Sequence, residues 1–90
     1  MSYTANFDTA KIYLKTGLKA RAQEYLVKVV EAIPTHECVA GNLVYLKTLT
    51  LLARLSLEGG ERARCIGYVD RGLAVKADHA DLLFLKALLL

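Results

Sequence analysis

Residues 10–34, AKIYLKTGLKARAQEYLVKVVEAIP, carry two apolar stripes that meet across one glycine. Ala10, Tyr13 and Leu14 stand at helical spacing before Gly17, and Ala22, Tyr25, Leu26, Val29, Val30 and Ile33 recur at i, i+3, i+4 and i+7 after it. Helical spacing on both sides of a single residue predicts a helical hairpin. Gly17 ends the first helix because glycine enters the left-handed region without a Cβ penalty. Pro34 ends the second because it lacks an amide donor and biases the residue before it toward extended backbone.

The pattern returns 43 residues later as Ala53, Ser56, Gly60, Cys65 and Val69, with Ala77 at the Pro34 position, and Ala87 lies 34 residues beyond Ala53. The order of Ala10, Tyr13, Gly17, Ala22, Leu26 and Pro34 resembles one unit of the tetratricopeptide repeat, in which W-x2-L-G-x2-Y is followed by A-x3-F and then P. The chain departs from that pattern with Asn6, Leu49 and Leu83 at the tryptophan position, Thr9, Leu52 and Lys86 at the leucine position, and Ser56 in place of an aromatic. The resemblance implies an all-α fold of antiparallel helical hairpins stacked as a right-handed superhelix of about five helices. It divides a single domain, residues 1–90, into unit one (3–36), an extension (37–45), unit two (46–79) and a partial third unit (80–90).

The first helix is expected over 6–16, with Asn6 as its cap and Asp8 near the positive end of its dipole, and the second over 19–33. Thr35 is the expected cap of a long third helix running to Glu58; a turn at Gly41-Asn42 is the alternative, with the helix starting near Leu43. Gly59-Gly60 breaks the chain, and Glu61 opens a fourth helix with the stripe Cys65, Ile66, Val69 and Leu73. Asp78 is the expected cap of the last segment, ADLLFLKALLL.

An apolar fraction of 54%, with one proline and no tryptophan, favours packed helices over a β-sandwich. The formal charge of +3 comes from 12 cations against 9 acids without a basic run, which suits an acidic partner and calls for neither nucleic acid nor a membrane surface. Two cysteines make no disulfide framework, and MSYTANF has neither the basic start nor the apolar core of a secretory signal, so a reducing cytoplasm is the expected location. LLFLKALLL (82–90) contains Lys86 and falls well short of the about 20 apolar residues of a membrane span.

His36, Cys38, Cys65 and His79 are the candidate metal ligands, but only His36 and Cys38 are closely spaced, whereas a structural zinc site needs four converging ligands. No metal or cofactor is expected. Ser2 and Ser56 lack the context of an activated nucleophile, and Glu24 and Glu31 lie two turns apart on an exposed face. No glycine-rich phosphate loop follows a strand, so the chain reads as non-enzymatic.

In the tetratricopeptide family the first helix of each unit lines a concave groove. The resemblance therefore selects Thr4, Phe7, Lys11, Leu14 and Lys15, then Lys47, Thr50, Arg54, Leu57 and Glu58, then Asp81, Phe84 and Leu88. It implies a scaffold that binds a peptide or helix of a partner protein, an acidic one if Lys11, Lys15, Lys47 and Arg54 share one wall. The two-carboxylate clamp of chaperone-tail binders is not implied, because Phe7, Lys11 and Leu51 occupy its positions. Two other functions fit paired helices. A small secretion chaperone or assembly factor would use Phe7, Leu14, Leu57 and Phe84, and a helix-turn-helix nucleic-acid reader would use the second helices, where Arg21, Lys28, Arg62, Arg64, Arg71 and Lys76 are scattered among acids. Leu82, Leu85, Leu88 and Leu89 of the last segment are the expected interface of a homo-oligomer, since they load one short helix with apolar surface.

Overall fold

Five α-helices and no strand make up residues 2–90, the part of the chain that the computed structural model describes: α1 (Tyr3–Lys15), α2 (Lys19–Ala32), α3 (Leu43–Glu58), α4 (Arg62–Val75) and α5 (Ala80–Leu89). A short 3-10 turn, Thr35–Glu37, lies between α2 and α3. The fold is all-α. α1 packs along α2 and α3 along α4 as hairpins, α2 against α3 joins the two, and α5 lies on α4 and touches α3.

The 43-residue period is a structural repeat. α4 begins at Arg62 and ends at Val75, each 43 residues after the Lys19 and Ala32 of α2. Among the described residues Gly17 (φ 81°) and Gly60 (φ 77°) are the two with left-handed backbone. Around the first, the Leu18 amide donates to the Tyr13 carbonyl (2.9 Å) and the Gly17 amide to Leu14 (3.2 Å). Around the second, Glu61 donates to Ser56 (2.8 Å) and Gly60 to Leu57 (3.1 Å), the same nested pair that satisfies the last carbonyls of a helix. Ala10, Ala22 and Leu26 and their counterparts Ala53, Cys65 and Val69 are all buried, and the small side chains among them let the two helices of each hairpin approach closely.

Tyr45, Leu49 and Leu52 of α3 join Phe7, Leu26, Val29 and Ile33 in one core, while Leu46 and Ala53 join Cys65, Val69, Leu82 and Leu85 in a second. Two-sided burial explains why this helix is apolar around most of its circumference.

Five sequence expectations need correction. α1 starts at Tyr3, not Asn6, because Tyr3, Phe7 and Ala10 extend the buried stripe by a turn, and tertiary packing outweighs the Asn6 cap. Asp8 pairs with Lys11 (3.7 Å) inside the helix. The long third helix from Thr35 is absent. Asn42 starts α3 by accepting the Tyr45 amide on Oδ1 (3.1 Å), and its Nδ2 donates to the Glu37 carbonyl (3.0 Å) and the Tyr3 hydroxyl (3.4 Å). Tyr3 in turn donates to the Glu37 carboxylate (3.0 Å), so the added residues of the first unit tie the start of α1 to the start of α3.

His79, not Asp78, caps α5, its Nδ1 accepting the Leu82 amide (3.3 Å). The turn closed by the His79 amide on the Lys76 carbonyl (3.2 Å) holds Asp78 one residue too early, where it pairs with Lys76 (3.4 Å). In α4, Ile66 is exposed, and the buried stripe runs through Gly72, where a Cβ would overlap the Leu82 side chain. Leu82, Leu85 and Leu89 are buried within their own chain, so they offer no surface to another copy; of the four expected interface leucines only Leu88 is exposed. The Arg62 guanidinium donates to the Leu89 carbonyl and closes the far end of α5.

Gly17→Val and Gly60→Val are each expected to cost about 1 to 3 kcal/mol, because the strain lies in the backbone rather than in a clash. Nothing lies within 4 Å of a Cβ built at either position. Urea midpoints unchanged in both variants would contradict the shared turn. Asn42→Ala removes a cap and leaves the Glu37 carbonyl without its donor, and it should lower stability by about 1 to 2 kcal/mol in the same assay.

Candidate binding groove

A groove of about 280 Å³ runs between α3 and the start of α5, lined by Leu43, Leu46, Lys47, Thr50, Leu51, Arg54, His79 and Asp81. Leu43, Lys47, Leu51 and Arg54 project from one face of α3 because they are spaced four, four and three residues apart. The α5 wall is set by the cap, since accepting the Leu82 amide fixes the His79 ring at the groove's edge. Thr50 is buried and donates its hydroxyl to the Leu46 carbonyl (2.8 Å), so it contributes its methyl group rather than a free donor.

Charge distinguishes this groove. Among the described residues no carboxylate lies within 4 Å of Lys47 or Arg54, whereas Lys19, Arg64, Lys76 and Lys86 each have an acidic partner at that distance. A larger hollow of about 550 Å³ opens between α2 and α4, lined by Ala20, Gln23, Glu24, Val27, Lys28 and Arg64. Its cations are engaged: the Lys28 ammonium stands 4.7 Å from the centre of the Tyr25 ring, and Arg64 pairs with Glu61 (3.4 Å). The smaller groove therefore presents two cations without a carboxylate partner, with Asp81 on its other wall, and size does not decide between them.

Of the residues the sequence selects for a groove, the fold brings together Lys47, Thr50, Arg54 and Asp81. Phe7 is a core residue with 6% exposure, and Lys11 covers its ring at 5.1 Å while pairing with Asp8. Leu14 and Leu57 are half-buried, and Lys15 is exposed at the end of α1. Phe84 is exposed on α5, outside the residues that line the groove. The single apolar wall of Phe7, Leu14, Leu57 and Phe84 therefore does not form. Leu43 and Leu51 belong to the groove without having been selected, although their register with Lys47 and Arg54 on a helix starting at Leu43 is the signal that finds them. Nothing in the sequence marks His79 as a cap or groove residue, because Asp78 is the better cap by residue type.

No three His, Cys, Asp or Glu side chains among the described residues come together to hold a metal ion. Cys38 and Cys65 are both free. Burial pushes the Cys65 thiol above its ordinary range, and the nearby Arg62 guanidinium opposes this in part. Among the described residues no helix is long and apolar enough to cross a membrane. Comparison of this chain with family models, with curated proteins and with solved structures finds no match.

A thiol whose ionisation is disfavoured by folding stabilises the fold fully below its unfolded pKa and loses that contribution as pH rises through its folded one. Ellman's reagent at neutral pH is therefore expected to modify Cys38 first and to reach Cys65 only at the rate of opening or in denaturant. Equal rates for the two thiols in the native protein would contradict the packing of α4.

Proposed function

We propose that this chain is a non-catalytic scaffold of the tetratricopeptide type that binds a segment of a partner protein along the groove between α3 and α5. The observation that carries the reading is the pair Lys47 and Arg54, unpaired cations on the rim of a leucine-lined groove. An acidic amphipathic peptide or helix complements it, with apolar side chains against Leu43 and Leu51 and carboxylates toward the two cations. The repeated hairpins support the family resemblance through shared turns and shared buried positions. A reducing compartment such as the cytoplasm suits two free thiols.

Exposed charges act mainly on encounter, so reversing them should slow association more than it speeds dissociation. With synthetic acidic amphipathic peptides as probes, Lys47→Glu/Arg54→Glu is expected to lower the on-rate by about tenfold at low salt, with the difference shrinking as salt rises. Stopped-flow anisotropy reads both rates. Equal on-rates for the variant and the wild type at low salt, in a variant that keeps the wild-type helical signal, would overturn the assignment.

A further inference from the structure

The buried stripe of α5, Leu82, Leu85 and Leu89, leaves the opposite side of the helix without a neighbour. On that side Leu83, Phe84 and Leu88 are 45%, 64% and 53% exposed, a concentration of large apolar side chains on one ten-residue helix. Ala80 and Ala87, seven residues apart, form a shallow row along the middle of this face, with Leu83 on one side and Phe84 and Leu88 on the other. Asp81 and Lys86 bound it on opposite edges.

We propose that a second copy of this chain covers this face, forming a two-fold dimer in which the two α5 helices run parallel. The surface complements itself in two respects. Its ridge of Phe84 and Leu88 needs a shallow row to enter, and the same helix supplies one at Ala80 and Ala87, as an isologous interface requires. Its edges carry opposite charges, and two-fold pairing of parallel helices sets opposite edges side by side, placing Asp81 of one copy along the Lys86 edge of the other. Antiparallel pairing would set like charge against like. Among the described residues Asp81 has no cation within 4 Å, so that edge is available to the other copy, and Lys86, which pairs with Asp70 (3.4 Å), would be shared between Asp70 and the Asp81 of the other copy. The dimer shares Asp81 with the partner groove, and the substitutions that test it lie outside that groove's lining.

Sedimentation equilibrium of the full chain through the micromolar range is expected to show the mass rise from 9.9 kDa toward twice that value. Phe84→Glu/Leu88→Glu changes only exposed positions, and it is expected to stay at the monomer mass with unchanged helical signal and melting. For orientation, Ala87→Cys in a Cys38→Ser background is expected to give a covalent dimer on mild oxidation. A wild-type chain that remains monomeric at the top of the range overturns the proposal. So does a dimer that survives the double substitution, or one that the Ala87→Cys thiols fail to cross-link.

Discussion

The molecule depends on the burial of α3 from two sides. A chain of 90 residues has little core to spare, and two separate helical hairpins of this size would each be marginal in water. α3 removes that difficulty by serving both hairpins: Tyr45, Leu49 and Leu52 complete the core begun by α1 and α2, and Leu46 and Ala53 complete the one shared with α4 and α5. Each fully buried leucine on such a helix contributes about 1.5 to 3 kcal/mol of gross hydrophobic stabilisation. The same arrangement leaves Leu43, Lys47 and Arg54 exposed on one face of α3, beside the partly buried Leu51.

The Asn42 network extends the coupling to the backbone. One amide side chain caps α3, holds the Glu37 carbonyl and reaches the Tyr3 hydroxyl, so the entry angle of α3 is fixed relative to α1 by hydrogen bonds as well as by packing. At the other end of the chain, Arg62 on the Leu89 carbonyl and Gly72 beneath Leu82 draw α5 tightly onto α4. The groove between α3 and α5 thus has walls that are each positioned by a separate set of contacts, which favours a preformed surface over one assembled on binding.

The fold was legible where local chemistry and burial agree. Gly17 and Gly60 marked both hairpin turns, and the apolar periods marked α2 and α4 nearly to the residue. Legibility failed where tertiary contacts override a local preference. Asn6 has the chemistry of a cap, yet the stripe through Tyr3 and Phe7 carries α1 past it; Asp78 has the chemistry of a cap, yet the turn register gives the role to His79. The last helix reads as uniformly apolar, so the sequence could not say which leucines face inward; α4 and Arg62 decide that by burying Leu82, Leu85 and Leu89. The groove was half legible, because Lys47 and Arg54 share a face by spacing alone, whereas Leu46 and His79 enter it only through the placement of α5 against α3.

Titration of the isotopically labelled chain with a synthetic helical peptide rich in Glu and Leu, followed by amide chemical shifts, tests most directly whether the α3–α5 groove is the binding surface. The account predicts that the shifts concentrate at Lys47, Thr50, Leu51, Arg54 and Asp81 and spare the hollow between α2 and α4. Shifts centred on Gln23, Val27 and Arg64, with the groove residues unmoved, would contradict it.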